Sequence, residues 1–288
     1  MAPVAVVADT CHYLPRDLVE RLGIGTVSLH VKLPDGTLRR ESDFIDYGEY
    51  YSILGSTSEL PTTSQPSVGD FLSVWEPLLE EGREIVSVHI SGMLSGTVET
   101  AQMAKQELGD RGQRVEVVDS RSGAGGEALV VLGAVAAAQS GKNARDCAEH
   151  ANATRERMRM WFAVDTLEYF LKGGRIGRAN AWVGTALKIK PILTIEEEIT
   201  PVERVRTSAR AFAKMVDYLK SLAEDGQDGW LVQHIRNPDQ AEALAEEGRA
   251  IFGNEPLCIS EVGPVMGTYS GPGLLGVGGA PRDMLQAD

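Results

Sequence analysis

The first half of the chain alternates apolar runs with segments whose apolar residues recur at helical spacing. Residues 4–8 and 85–90 are β-branched runs of the kind that is buried on both faces of a parallel sheet. Further strands are predicted for 24–31 and 115–118, and helices for 15–22, 68–79, 97–108 and 124–138. Because strands and helices alternate, this half predicts βαβ units and a mainly parallel sheet.

The second half has a different pattern. Strands predicted for 191–196 and 199–205 are separated only by Glu197 and Glu198, so they must pair antiparallel. Other predicted elements are strands 160–164, 230–235 and 257–261 and helices 166–171, 208–222 and 238–251. This α+β pattern places a boundary near residues 152–158, which predicts two α/β lobes, 1–155 and 156–288.

Charge is distributed unevenly along the chain. There are 28 Lys and Arg against 41 Asp and Glu, a net charge of −13 that argues against a nucleic-acid partner. Residues 155–220, the basic segment, instead hold 13 basic and 8 acidic residues, a local net charge of +5. This segment is a candidate docking surface for an anion or an acidic partner, and a solvated face without a partner is the alternative.

The cysteines and the apolar runs indicate the cellular compartment of the protein. Cys11, Cys147 and Cys258 are far apart and form no C-x-x-C pair, which argues against a disulfide framework and a zinc site. The first residues lack a basic stretch before their apolar run, and no apolar run is long and continuous enough to span a bilayer. We therefore expect a cytoplasmic protein without a metal or cofactor.

Motifs of two enzyme classes are present but incomplete. Residues 123–128 match G-x-G-x-x-A between a strand and a helix, without the acid expected about 20 residues later. Ser95 lies at a strand-to-helix turn, but Met93 replaces the glycine of a nucleophile elbow. Residues 271–276 fit G-x-G-x-x-G, yet no helix can follow, so a structural loop is predicted there. A nucleotide-using enzyme and a serine hydrolase stay open as alternatives.

Hydroxyl side chains precede two predicted helices. Residues 62–67 hold four of them, and Ser95 and Thr97 stand at the second helix start. N–H groups at a helix start carry partial positive charge, and hydroxyls add donors, so these loops suit an anion held by hydrogen bonds. Simple N-capping by Ser67 and Ser95 is the alternative.

Several of these stretches also carry a family resemblance. Residues 63–67 (Thr-Ser-Gln-Pro-Ser) with Phe71, 94–97 (Leu-Ser-Gly-Thr) and 118–120 (Val-Asp-Ser) resemble the DegV family of bacterial fatty-acid-binding proteins. The same holds, in family order, for 165–169, 172–176, 190–193, 205–207 and 271–273. The resemblance implies a Rossmann-like N-terminal lobe, a C-terminal α/β lobe with a mixed or antiparallel sheet, and a long-chain fatty acid such as palmitate or oleate buried between them.

The family also suggests how such a protein is used. Its FakB-like members are non-catalytic subunits of a fatty acid kinase. They present the fatty acid carboxyl group to a separate, FakA-like kinase subunit, which converts it to an acyl phosphate. The resemblance therefore implies a lipid-binding protein that supplies a phospholipid precursor and has no catalytic residues of its own.

The resemblance assigns roles to individual residues. The family's carboxylate-binding hydroxyls fall on Thr63 and Ser95. Ser64, Thr97 and Tyr269 are possible members of the same network, and Tyr269 stands where the family usually has His. The family's kinase-docking arginines correspond to two residues of the basic segment, Arg175 and Arg206.

Overall fold

The structure, a computed structural model, describes residues 3–57, 59–182 and 189–286. The strands are β1 (Val4–Asp9), β2 (Gly25–Val27), β3 (His30–Lys32), β4 (Leu38–Arg40), β5 (Thr62–Ser64), β6 (Glu84–His89), β7 (Val115–Asp119), β8 (Arg159–Ala163), β9 (Lys190–Glu196), β10 (Glu198–Val205), β11 (Gly229–His234), β12 (Ile259–Glu261) and β13 (Leu275–Ala280). The α-helices are α1 (Arg16–Leu22), α2 (Gly48–Ser56), α3 (Val68–Glu80), α4 (Thr97–Glu107), α5 (Gly125–Gln139), α6 (Ala144–Arg157), α7 (Glu168–Lys172), α8 (Ser208–Glu224), α9 (Pro238–Phe252) and α10 (Pro264–Ser270).

The first sheet confirms the βαβ prediction for the first half of the chain. Its strands run in the order β2-β1-β6-β7, and every neighbouring pair is parallel. The Ala- and Val-rich helix α5 is buried along nearly its whole length, and Leu129 and Val131 pack with strand residues such as Val6 and Val88. Burial of these β-branched strands under helices is what stabilises a parallel sheet.

The second sheet is mixed and runs in the order β10-β9-β8-β13-β11-β12. β9 and β10 pair antiparallel from Glu196 and Glu198 outward, as their short connection predicts. β11 pairs parallel with β12 and antiparallel with β13. The two-sheet α/β fold class is therefore confirmed, while the lobe boundary at residues 155/156 stays a prediction.

The loop predicted at residues 271–276 is present over 271–274, where Gly271 and Gly273 have positive φ, but it ends two residues earlier than expected. Leu275–Ala280 forms β13, which lies between β8 and β11 inside the second sheet. A Cβ on Gly278 would lie 3.0 Å from the Cβ of Met160, and one on Gly279 would lie 2.7 Å from the carbonyl oxygen of Gln227. Gly278 and Gly279 are therefore explained by the close approach of neighbouring groups to this strand.

The predicted strand at 24–31 is also corrected, because it divides into two. β2 stays in the parallel sheet, whereas β3 enters a small antiparallel sheet of order β4-β3-β5. The chain changes direction at Ser28 and Leu29, where the Leu29 N–H donates to the Thr10 hydroxyl. This small sheet, which the sequence did not predict, contains β5 and therefore Thr63 of the 63–67 motif.

Two further observations concern the described residues as a whole. None of their helices is both long and apolar enough to cross a membrane. Nor does the described part of the chain place three or more His, Cys, Asp or Glu side chains where they could hold a metal ion.

Candidate functional site

A cleft lies where β5, the start of α4, the segment after α7 and helix α10 meet. Its free volume, including the part open to solvent, is about 510 Å³. We call this region the outer cleft. It is lined by Leu29, Thr63, Gln65, Ile90, Leu94, Ser95, Gly96, Phe170, Arg175, Ile199, Val265, Met266 and Tyr269.

A second space of about 370 Å³, again including the part open to solvent, lies next to the cleft, and we call it the inner chamber. Phe170, Ile199 and Met266 line both spaces, so the two are adjacent. The other residues lining the inner chamber are Ala124, Met160, Phe162, Ile195, Gln233, Val262, Ser270, Leu274 and Gly276. The site is thus a polar opening followed by a mainly apolar interior.

Thr63 is placed at the opening by the small antiparallel sheet. It pairs with Val31 across β3 and β5, and its Oγ1 lies 2.5 Å from the Tyr269 hydroxyl oxygen. Successive strand residues point to opposite faces. Ser64 is accordingly exposed and does not line the cleft, so the structure brings together Thr63 and Tyr269 but not Ser64.

Ser95 and Thr97 lie at the start of α4, and their hydroxyl oxygens are 2.8 Å apart. The N-cap residue is Gly96, which provides no side-chain cap for the first N–H groups of this helix. A Cβ at Gly96 would lie 2.9 Å from Gln65 Nε2, so a larger residue here would require the Gln65 amide to shift. The first turn of α4 therefore presents uncapped N–H groups beside the Ser95 hydroxyl.

Helix α3 shows the opposite arrangement. Ser67 accepts from the Asp70 N–H, and the Asp70 carboxylate accepts from the Ser67 N–H, which completes a capping box. Simple N-capping is therefore confirmed for Ser67. Of the two helix starts that the sequence offered for an anion, only that of α4 lacks a side-chain cap.

The two arginines of the predicted docking surface occupy different places. Arg175 lines the outer cleft, with its guanidinium carbon 5.0 Å from the centre of the Tyr269 ring, a cation–π distance. Arg206 directly follows β10, is exposed and does not line the cleft. Arg175 thus adds a positive charge at the opening, a position that the sequence did not suggest.

Helix α10, which supplies Met266 and Tyr269, is held in place by Glu41. One carboxylate oxygen of Glu41 accepts from the Val265 N–H at 2.7 Å and from the Tyr13 hydroxyl at 2.9 Å. The other accepts from the Thr10 hydroxyl. Burial raises the pKa of Glu41 to about 7, and these hydrogen bonds limit the rise. Sequence reasoning missed this residue, since nothing in its local sequence points to it.

Three buried residues have the hydrogen-bond order of a catalytic triad. Ser87 Oγ lies 2.8 Å from His89 Nε2, and His89 Nδ1 lies 3.2 Å from Asp9 Oδ2. All three side chains are fully buried, and none of them lines the cleft. Burial alone would raise the pKa of Asp9, but hydrogen bonds from His89 and backbone N–H groups hold it below its usual value. His89 is thus a core histidine with a hydrogen-bond partner at each ring nitrogen.

The glycines at 123–128 are accounted for by packing. Helix α5 begins inside the protein, and a Cβ on Gly125 would lie 2.7 Å from Leu231 Cδ1. One on Gly126 would overlap the Ser122 hydroxyl at 2.0 Å. These observations do not support the nucleotide-using alternative.

Comparison with known proteins settles the family. A sequence profile described as "Uncharacterised protein, DegV family" matches residues 3–282. The chain belongs to the DegV family. A DegV domain-containing protein from Streptomyces coelicolor is 36% identical over 277 residues, which are 95% of this chain and 97% of that protein. The resemblance seen in the sequence motifs is therefore confirmed.

Solved DegV-family structures share the whole fold. A protein from Thermus thermophilus, reported for its fatty acid binding, is 32% identical, with a TM-score of 0.86 over 96% of this chain and 99% of that one. DegV from Bacillus subtilis, reported as a fatty acid binding protein, is 28% identical, with a TM-score of 0.85 and the same coverage. Fatty acid binding is thus established for DegV-family proteins with this architecture.

Proposed function

We propose that this DegV-family chain binds a long-chain fatty acid such as palmitate or oleate, with the acyl chain in the inner chamber and the carboxylate at the outer cleft. One observation carries the proposal. The Thr63 and Ser95 hydroxyls and the uncapped start of α4 lie at a cleft that adjoins a mainly apolar space. An amphipathic ligand with one anionic end matches this distribution.

The energetics favour such a ligand. A carboxylate that leaves water is costly unless donors replace its hydration, and hydroxyls with helix-start N–H groups are such donors. Arg175 adds a positive charge, but it is exposed, so solvent weakens its attraction for the carboxylate. Burial of the acyl chain contributes about 0.8 kcal/mol per CH₂ group. Most of the affinity therefore comes from the chain, and the head group remains free to react.

Thr63→Ala and Ser95→Ala test the carboxylate site. Each is expected to weaken oleate binding by about 1 to 3 kcal/mol, or roughly 5- to 150-fold, because a buried charge loses a donor. Isothermal titration with oleate measures the loss. Ser64→Ala is the matched control, since Ser64 lies on the exposed face of the same strand, and it should bind as the wild type does. Wild-type affinity in the double variant would exclude this site.

The same proposal includes the use of the bound ligand. The chain presents the carboxyl group to a separate kinase subunit for acyl phosphate formation and has no chemistry of its own. The +5 charge of the basic segment and the exposed positions of Arg175 and Arg206 support a docking role. The Ser95 hydroxyl pairs with that of Thr97, and no histidine lines the described cleft to act as its base.

Arg206→Ala tests the docking surface. Oleate affinity should stay unchanged, while acyl phosphate output falls when the chain is combined with the kinase subunit of a DegV-dependent fatty acid kinase. Wild-type output should decline as salt increases, and the variant should show a flatter decline, because a rim charge mainly accelerates association. Arg145→Ala, an exposed arginine of α6 outside the basic segment, should match the wild type. Loss of oleate binding in Arg206→Ala would instead place Arg206 in the ligand site.

A further inference from the structure

The inner chamber contains a polar group without a partner. Gln233 lies on β11 and is only 1% exposed. Its Nε2 donates to the carbonyl oxygens of His12 and Tyr13, at 3.1 and 3.4 Å, and to Ser260 Oγ at 3.1 Å. Its Oε1 is buried and has no hydrogen-bond partner among the described residues. Buried acceptors of this kind are rare in folded proteins.

The orientation of this amide is fixed. Because Nε2 donates to two backbone carbonyl oxygens, exchange of the amide oxygen and nitrogen would lose both hydrogen bonds and turn Oε1 toward these two oxygens. Oε1 therefore stays on the side of the α5 start, 3.4 Å from the position that a Cβ on Gly125 would take. Ala124 and Gly276, which also line the chamber, have the smallest side chains.

Among the described residues, the chamber supplies no free donor. Ser270 is the other polar side chain that this part of the chain contributes to the lining, and its hydroxyl donates to the Met266 carbonyl oxygen at 2.9 Å. The remaining lining groups are apolar or glycine. An unsubstituted acyl chain would cover Oε1 without giving it a hydrogen bond. A ligand with one O–H group at this depth would satisfy the acceptor.

We propose that Gln233 is a specificity-determining residue and that the inner chamber selects a fatty acid with a hydroxyl group on its acyl chain, whose O–H donates to Gln233 Oε1. This inference rests on the proposed function, since it takes the inner chamber to be the acyl site. The ligand class is therefore a hydroxy fatty acid, distinguished from palmitate or oleate by one hydrogen bond deep in the protein.

The experiment compares stearic acid with a series of hydroxystearic acids that carry the hydroxyl at successive carbons. Isothermal titration of the wild-type chain should find at least one isomer that binds roughly tenfold more tightly than stearic acid. Gln233→Met, which keeps the volume but removes the acceptor, should abolish that advantage and retain stearic acid binding. Ser270→Ala is the control within the same chamber and should keep the advantage.

The outcomes separate this inference from the proposed function. If neither stearic acid nor any isomer binds, the proposed function fails. If stearic acid binds and every isomer binds equally or more weakly, the hydroxyl selectivity alone is overturned, as expected where a bound water satisfies Oε1. Loss of the advantage in Ser270→Ala would also overturn the assignment to Gln233. If Gln233→Met does not fold, the wild-type series still tests the hydroxyl selectivity, and Ser270→Ala still tests whether the other polar side chain of the chamber causes it.

Discussion

Met266→Trp is expected to abolish fatty acid binding while the protein stays folded. Met266 lines both the outer cleft and the inner chamber. If the acyl chain runs from one to the other as proposed, the bulkier indole fills its passage. Exclusion of four CH₂ groups from the chamber costs about 3 kcal/mol, which is a loss of more than roughly 100-fold. Displacement of a fluorescent fatty acid measures affinity, and thermal unfolding checks the fold.

Met266→Leu is the matched control for this substitution. It nearly conserves volume and keeps the passage open, so affinity should change little. The hydrogen bond from Met266 to Tyr13 uses the backbone N–H, so neither variant removes it. Wild-type affinity in Met266→Trp would show that the acyl chain does not pass this point.

Elements with strong local signals could be predicted from the sequence. The β-branched runs at 4–8 and 85–90 form parallel strands, and Ser67 with Asp70 starts α3 through a capping box. Gly23 ends α1 in a left-handed conformation with φ of +66°. In each case the residues that determine the element lie within the element or next to it. Local chemistry was therefore sufficient.

The region 264–280 could not be predicted, because distant residues determine its structure. Helix α10 has only seven residues, and Glu41 and Tyr13 hold its first turn. β13 is rich in glycine, which disfavours strands in isolation. Its conformation follows from pairing with β8 on one side and β11 on the other. These contacts are distant in the chain, so local patterns do not record them.

The candidate site shows the same division. Thr63 and Ser95 were singled out because hydroxyls at helix starts have a recognisable chemistry, and both line the outer cleft. The difference between Thr63 and Ser64 depends on which face of β5 each occupies, and pairing with β3 fixes that. The position of Arg175 beside Tyr269 depends on the packing of α7 against α10. Residue types indicate the chemistry of the site, and tertiary packing decides which residues share it.

Glu41→Ala is expected to destabilise the fold by about 3 to 5 kcal/mol, because it leaves buried donors on Tyr13, Thr10 and Val265 without an acceptor. Urea unfolding at pH 7 measures the loss. Fatty acid affinity should fall as well, since α10 loses the contact that positions its first turn. Glu41→Gln is the isosteric control. Its amide oxygen can accept from Tyr13 and Val265, and its amide N–H can donate to the Thr10 hydroxyl.

Comparison of the wild type with Glu41→Gln also predicts how the stability of the fold depends on pH. The pKa of Glu41 is about 7 in the folded protein against an ordinary value of 4.5, because burial disfavours the carboxylate. The folded state therefore binds this proton more tightly than the unfolded chain does. Its contribution to the free energy of unfolding is complete below pH 4.5 and is lost, up to about 3 kcal/mol, as the pH rises through 7. Glu41→Gln cannot ionise and lacks this loss.

The free energy of unfolding is measured against pH for the wild type and for Glu41→Gln. The difference between the two proteins isolates the contribution of Glu41 from that of the other titrating groups. The stability of Glu41→Gln relative to the wild type should thus increase between pH 5 and pH 8 and then level off. Urea unfolding of both proteins at half-unit intervals of pH would show this rise. A difference that stays flat over the range would mean that three hydrogen bonds keep Glu41 ionised throughout. In that case the carboxylate itself, rather than the neutral acid, holds α10 over the cleft.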